Sequence, residues 1–344
     1  MPLPNTIPLA AYSRHGRTQG SYLDPALPEA WYVAEYKFFD GDLYEDKNGF
    51  SWQGSKPIAA PPSEIEQGGR FTFTGNADPR VQPTSEQRYS FNEMDEFWLK
   101  KRFFVPTNYF HQRIIGFTVT GSMATWQVGD TLLANNGVDT GTVDYIGGTF
   151  LAVLFPSNPT NDNWTNDNLN GVITNTTRGQ TLPCVLEGWP DNNKFHAFWC
   201  DAYSNAGAGP TIVFELRASG DGGSVIYFQH GADYQGTGSP TSSLPFISTA
   251  DFGKWFDWVV HVKMATSETA TDGIIEHWMR KEGQSTYTKL QTKTNANIGV
   301  RAAGGAAKFR NGYCHGYQNS GYKVDTSLYD SHIILSEHAI DGVV

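Results

Sequence analysis

Apolar and polar residues alternate along this chain with a period of two, in short runs closed by turn residues. In "FDWVVHVKM", residues 256–264, one parity holds Trp258, Val260 and Val262, and the other holds Asp257, Val259, His261 and Lys263. One face is apolar and the other mixed, the pattern of an antiparallel strand buried on one side. Comparable runs are "AWYVAEYKFF", "GRFTFTG", "QRYSFNEMDEFWLKKRFFVP", "NNKFHAFWCDAYS", "PTIVFELRAS", "GSVIYFQHG", "YCHGYQNSGY" and "SLYDSHIILSE", with Gly, Asn and Asp between them. In "GIIEHWMRK", Ile275, His277 and Met279 oppose Ile274, Glu276, Trp278 and Arg280. Neither parity there is cleanly apolar, so the pattern leaves the inward face open. No long segment carries a helical period. Strands at this spacing predict an all-β sandwich or jelly roll.

The pattern also divides the chain. Residues 1–30 are Pro-rich and irregular, and read as an N-terminal arm. Residues 114–180 contain almost no Lys or Arg and are dense in Gly, Asn, Asp and Thr around short strands such as "GTVDYI" and "GTFLAVLF". They read as an inserted β-module, since a structureless loop of that length is unusual in a compact domain. Residues 31–113 and 181–344 then form one interrupted sandwich.

Composition narrows the class. Charged residues make up 17% and aromatics 14%, with 36 Gly and 18 Pro, which favours an all-β fold over a helical or disordered chain. The net charge of −10 argues against a nucleic-acid partner, because phosphate binding needs clustered Lys and Arg. The one dense basic run, Lys100-Lys101-Arg102, lies in a strand. No run of eighteen apolar residues exists, so no membrane span or membrane partner is expected. The first twenty residues lack a basic region followed by an apolar run, so no signal peptide is expected. The protein is then expected to be made and used inside a cell, or to leave it by another route such as lysis. Cys184, Cys200 and Cys314 form neither a zinc pattern nor a disulfide framework and read as buried thiols. No cofactor is expected. The segment "NPTNDNWTNDN", with Asp162 and Asp167, carries oxygen ligands of the kind that suit calcium, and reads equally as a polar turn.

With residues 114–180 set aside, the order of motifs resembles the concanavalin A-like jelly rolls of polysaccharide lyases, both heparin-lyase-like and alginate-lyase-like. "DEFWLKKRFFVPTNY" is similar to their Trp- and aromatic-rich strand with a closing Pro. "NNKFHAFWCD" followed by "GPTIVFELR" is similar to their central strand pair. "GYCHGYQNSG" resembles a degraded form of the alginate lyases' Tyr-rich strand, with His315 where that strand has Lys. The resemblance implies a sandwich of two antiparallel sheets, a polysaccharide as partner and β-elimination on a uronic-acid-containing glycan. The low-charge insert and the missing signal peptide resemble proteins encoded by bacterial viruses, which implies a protein made in a host cytoplasm and associated with a virion or released on lysis.

A β-eliminating lyase neutralises a uronate carboxylate, removes the proton at C5 and protonates the leaving oxygen. Arg, Asn or Gln suits the first task, and His or Tyr suits the others. Tyr317 sits at the place of the family's acid/base tyrosine. Asn319, Tyr313 and His315 share its parity, so an unbroken strand presents four polar tips on one face. His196 in "KFHAFWC" is the candidate base, or else a core histidine bonded to a neighbour. Arg88 is the carboxylate clamp, or the partner of Glu86 two residues away. Arg217 is a second clamp, His111 and Gln112 a polar rim before the insert, and Trp199, Trp278 and Tyr227 either sugar-stacking rings or core. Two alternatives to a lyase stand beside it. One is a non-catalytic carbohydrate-binding or virion surface protein on the same fold. The other is a glycosidase using Glu215 and Glu276, which requires both carboxylates to flank one bond.

Overall fold

The computed structural model of the protein describes residues 32–37, 43–44, 51–53, 57–62, 64, 66–75, 77–81, 84–134, 137, 139–154, 171–188, 193–200, 211–231, 241–267, 270–298, 308–317, 322, 324–340 and 342–343. The N-terminal arm and the Asp162/Asp167 segment lie outside them.

Two antiparallel sheets form the sandwich. The first contains β1 (Tyr32–Lys37), β2 (Leu43–Tyr44), β4 (Ile58–Ala59), β5 (Gly68–Phe73), β7 (Glu96–Val105), β18 (Lys254–Lys263), β19 (Gly273–Lys281), β20 (Thr288–Ala296) and β22 (Thr326–Ser336). Its order is β2-β1-β22-β7-β18-β19-β20, with the β4–β5 pair joined to β22. The second contains β3 (Ser51–Gln53), β6 (Thr84–Met94), β14 (Asn193–Trp199), β15 (Ile212–Ala218), β16 (Ser224–His230), β17 (Leu244–Ile247) and β21 (Phe309–Tyr317), in the order β17-β16-β15-β14-β21-β6-β3. Between the sheets lies one continuous core, which includes Phe97, Leu99, Phe103, Phe195, Phe198, Phe214, Trp258 and Val260. The alternation read in β18 holds: Trp258, Val260 and Val262 enter this core. In β19 the inward parity is Ile275, His277 and Met279. His277 is tolerated there because its Nδ1 accepts a hydrogen bond from Trp258 Nε1 at 3.3 Å.

β8 (Ile114–Val119), β9 (Thr131–Leu133), β10 (Thr140–Gly147), β11 (Phe150–Leu154), β12 (Gly171–Asn175) and β13 (Gln180–Gly188) close into a small barrel, in the order β10-β11-β8-β13-β12-β9. Closure removes the free edges that so short a set of strands would otherwise expose. Its own core holds Ile115, Phe117, Val119, Trp126, Leu132, Val143, Leu151, Val153 and Ile173. The protein is therefore an all-β sandwich carrying a closed six-stranded barrel.

The barrel is anchored where it joins the sandwich. His111, three residues before β8, is fully buried. Its Nδ1 lies 2.8 Å from Ser224 Oγ and its Nε2 lies 2.8 Å from Asn193 Nδ2. Tyr109 Oη lies 2.6 Å from the same serine oxygen. One imidazole thus ties the approach to the barrel, the start of β14 and the start of β16 into one polar knot. A further contact comes from Arg80, which lies over the Phe150 ring at 4.5 Å.

The outer faces of the two sheets differ. That of the first sheet is covered. Trp98 stacks on His261 at 4.2 Å and on Trp278 at 5.4 Å, and Ile340 packs with them. Arg102 bonds Glu66 and Asp257, and Asp257 also holds Arg280. The outer face of the second sheet carries the residues described next.

Candidate functional site

The outer face of the second sheet is set by strand parity and two irregularities. In β6, Gln87, Tyr89 and Phe91 are buried while Glu86 and Arg88 alternate with them on the outer side. In β15, Phe214 and Leu216 enter the core, which turns Val213, Glu215 and Arg217 outward. In β16 the same rule turns Tyr227 and Gln229 outward. β14 has a register shift between Lys194 and His196. Phe195 and His196 consequently both point inward, while Lys194, Ala197 and Trp199 stay outside.

Lys194, Glu215 and Tyr227 stand directly opposite one another on three adjacent strands. Lys194 Nζ and Tyr227 Oη both donate to the Glu215 carboxylate, and Gln229 Nε2 adds a third bond at 3.1 Å. Glu215 has no exposed surface and the Lys194 side chain is 7% exposed. Burial pulls the Lys194 ammonium down to about 8. Arg217 Cζ lies 5.4 Å from the centre of the Tyr227 ring. About three residues along the strands, Arg88, Tyr313 and Ala197 form a second cross-strand row. Tyr313 packs on Trp199 with ring centres 4.9 Å apart. Arg88 pairs with Glu86 and keeps 38% of its side chain exposed. The face therefore combines a deeply placed amine of lowered basicity, a phenol, two guanidinium groups and two packed aromatic rings.

The expected site residues separate in space. Arg88, Tyr313, Trp199 and Arg217 belong to this face. His196 does not: it is fully buried, its Nε2 lies 2.8 Å from Tyr89 Oη, and its ring packs against Phe198 and Trp258. The bulge that puts it inside also explains its chemistry, since burial, followed by Lys101 and His315, holds its imidazole well below the usual range. His315 also leaves the expected face. Its φ of 57° breaks the alternation of β21 and sends the ring between the sheets. There Nε2 lies 2.9 Å from Asp330 Oδ1 and 3.1 Å from Lys101 Nζ. His111 is the knot at the barrel entrance, and Gln112 follows it half-buried. The backbone of Tyr317 pairs with Thr84, but its side chain, like all of Asn319, lies outside the described residues.

Gly316 adjoins this irregularity with a φ of +86°. A Cβ there would come within 2.7 Å of the Tyr313 ring and 2.8 Å of Lys194 Cβ. Only glycine leaves that space to the lysine stem.

Lys194 and Gln229 were missed by sequence reasoning, and Tyr227 and Glu215 were assigned other roles. The signal was present in the alternation of "IVFELRA" and "SVIYFQH", whose polar residues share the parity opposite the core. Glu215 and Glu276 lie on the outer faces of different sheets, so they cannot flank one glycosidic bond. Trp278 packs with Ile340 on the first sheet, remote from this face. Among the described residues there is no group of three or more His, Cys, Asp or Glu side chains placed to hold a metal ion.

No protein-family model matches the chain, and no curated protein matches it. Solved structures similar to it include the marine PL-14 alginate lyase from Aplysia kurodai, at 12% identity and TM-score 0.39 over 83% of this chain and 89% of that one. Another is the alginate lyase vAL-1 from Chlorella virus, at 9% identity and TM-score 0.37 over 84% of this chain and 93% of that one. A third is the carbohydrate recognition domain of Emp47p, at 8% identity and TM-score 0.36 over 91% of this chain and all of that one. The likeness is one of sheet arrangement and says nothing of substrate or reaction.

Proposed function

We propose that the protein is a polysaccharide lyase that cleaves a uronic-acid-containing glycan by β-elimination on the outer face of the second sheet. The observation that supports this reading is the cross-strand row of Lys194, Glu215 and Tyr227, with the Lys194 amine brought to about 8 by burial. A lysine of ordinary basicity is protonated at neutral pH and cannot accept a proton. One near 8 exists in part as the free amine and is matched to the task.

Each step of the elimination falls to a different residue. Arg217 or Arg88 neutralises the uronate carboxylate with its planar fork. The neutral Lys194 amine takes the proton at C5. The electron pair released forms the C4–C5 double bond, the C4–O bond breaks, and the Tyr227 hydroxyl protonates the leaving oxygen. No water is consumed, and the product carries an unsaturated uronate. Lys194 takes the part expected of His196, and Tyr227 the part expected of Tyr317.

A second reading, a non-catalytic glycan-binding face, is favoured by one observation. The Lys194–Glu215–Tyr227 row is buried, whereas Arg88 keeps 38% of its side chain exposed to a ligand. One experiment separates the two. Alginate, glucuronan, heparin-type and pectin-type glycans are incubated with the protein, and new ultraviolet absorbance from the unsaturated product is followed. Cleavage by wild type and its loss in Lys194→Met and Tyr227→Phe supports the lyase. Binding without any unsaturated product rejects the lyase in favour of the binding face.

A further inference from the structure

We propose that Glu215 is a positioning residue whose carboxylate sets the pH range in which Lys194 is a free base and fixes the direction of the Tyr227 hydroxyl. The use of this device rests on the lyase reading; its geometry does not.

Three donors converge on this one carboxylate: the Lys194 amine from β14, the Tyr227 hydroxyl from β16 and, from the same strand, the Gln229 amide at 3.1 Å. With no exposed surface, Glu215 has no face left for a sugar, so its effect on a substrate passes through its partners. The charged and titratable groups around Lys194 come from every neighbouring strand. Glu215 and Arg217 lie on β15, Tyr227 on β16, Tyr313 on β21, and the Glu86–Arg88 pair on β6. Lys101, His315 and Asp330 lie on the inner side of the sheet. Glu215 is the carboxylate in direct contact with the amine. Burial disfavours the ammonium, and a touching carboxylate favours it, by about one to three pH units at such a distance. Burial brings Lys194 to about 8. Removing the carboxylate's charge takes away a contact that favours the ammonium, while the burial that disfavours it stays. The hydroxyl of Tyr227 is held by the same carboxylate, so both proton-handling groups of the row are oriented by one side chain.

The test is a nuclear magnetic resonance titration of the lysine side chains in the full chain, with the Lys194 signal assigned by its loss in Lys194→Arg. In Glu215→Gln, which keeps the shape and removes the charge, the Lys194 midpoint is expected to fall by about one pH unit or more. Where glycan cleavage is measurable, the acid limb of kcat/KM moves down by the same amount. An unchanged or raised midpoint overturns the proposal. If Glu215→Gln does not fold, Glu215→Asp replaces it. That variant keeps the charge but withdraws it from the amine, and its midpoint is expected to fall by less than about one pH unit; no movement again overturns the proposal. The titration needs no substrate. Absence of lyase activity therefore rejects the lyase reading alone, and the Lys194 midpoint alone decides the role of Glu215.

Discussion

Two lysine–carboxylate clusters stand on opposite sides of the second sheet. Inside the sandwich, Lys101, His315 and Asp330 are all fully buried. Outside, Lys194 and Glu215 are nearly as buried but share their carboxylate with a phenol on the face that carries Arg88 and Arg217. In the inner cluster each charge is consumed by its partners. Lys101 reaches Asp330 at 3.3 Å and lies 4.0 Å from the centre of the Phe195 ring, while His315 packs on Phe71. Burial alone raises the Asp330 carboxyl, but His315 and Lys101 outweigh it and hold it below the usual carboxylate range. That arrangement surrounds the left-handed His315 in the core. The outer cluster differs in lying on the outer side of its sheet and in including a phenol. A buried lysine–carboxylate pair thus sits in a different setting according to which side of a strand it leaves.

The comparison breaks most visibly at Lys194. Lys194→Met is expected to lower the rate of unsaturated-product formation by about 10²- to 10⁴-fold, the usual weight of a lost general base. It also leaves the buried Glu215 carboxylate without its counter-charge, so the thermal midpoint is expected to fall, and turnover is compared at a temperature where the variant is folded. A variant that keeps full turnover removes Lys194 from the mechanism.

Next in size is the inner cluster. Asp330→Ala leaves Lys101 buried without its counter-charge and is expected to cost about 3–5 kcal/mol in urea unfolding. The double change Lys101→Met with Asp330→Leu, which removes both charges, is expected to recover most of that loss. If the single change is nearly neutral, the inner cluster is not the structural element described above.

Acid sharpens the contrast further. Burial holds His277 down to about 3 and His196 well below its usual range. Below about pH 6.5 the unfolded chain takes up a proton at each of these histidines that the folded chain refuses. Stability therefore falls as pH drops through the window from about 6.5 toward 3, with a slope of about 1.4 kcal/mol per pH unit for each histidine. His277→Gln is expected to flatten that slope by one proton, measured from urea midpoints across the window. Lys194 works in another window. Its folded value is near 8 and its ordinary value 10.5, so its contribution improves as pH rises between the two.

A smaller effect is expected at Gly316. Alanine there meets both a left-handed backbone and the Tyr313 ring, and about 1–2 kcal/mol of stability is expected to go. Turnover is expected to fall with it, because the displaced neighbour is Lys194. Smallest is Arg88→Ala. Its pair with Glu86 is partly exposed, so stability changes by less than about 1 kcal/mol, while KM for a uronate polymer rises. An unaltered KM assigns carboxylate recognition to Arg217 alone.

The period-two pattern by itself determined the all-β class, the two-sheet sandwich with a small β-module and the inward face of β18. Alternation is a local property, and burying one parity of each strand leaves few other solutions. It also carried the outward positions of Arg88 and Arg217, each of which keeps the parity of its strand. What it could not decide depended on single-residue departures from that alternation. The shift between Lys194 and His196 leaves a lysine and not a histidine on the outer face, and the left-handed His315 took a polar tip out of the expected row. Neither departure leaves a mark in the hydrophobic pattern, because the partners of the displaced histidines are distant in sequence: Tyr89 on the same sheet for His196, and Lys101 and Asp330 across the core for His315. The meeting of Lys194, Glu215 and Tyr227 was decided in the same way. Three residues separated by 21 and 12 positions in the chain become neighbours only when strand pairing sets them opposite one another.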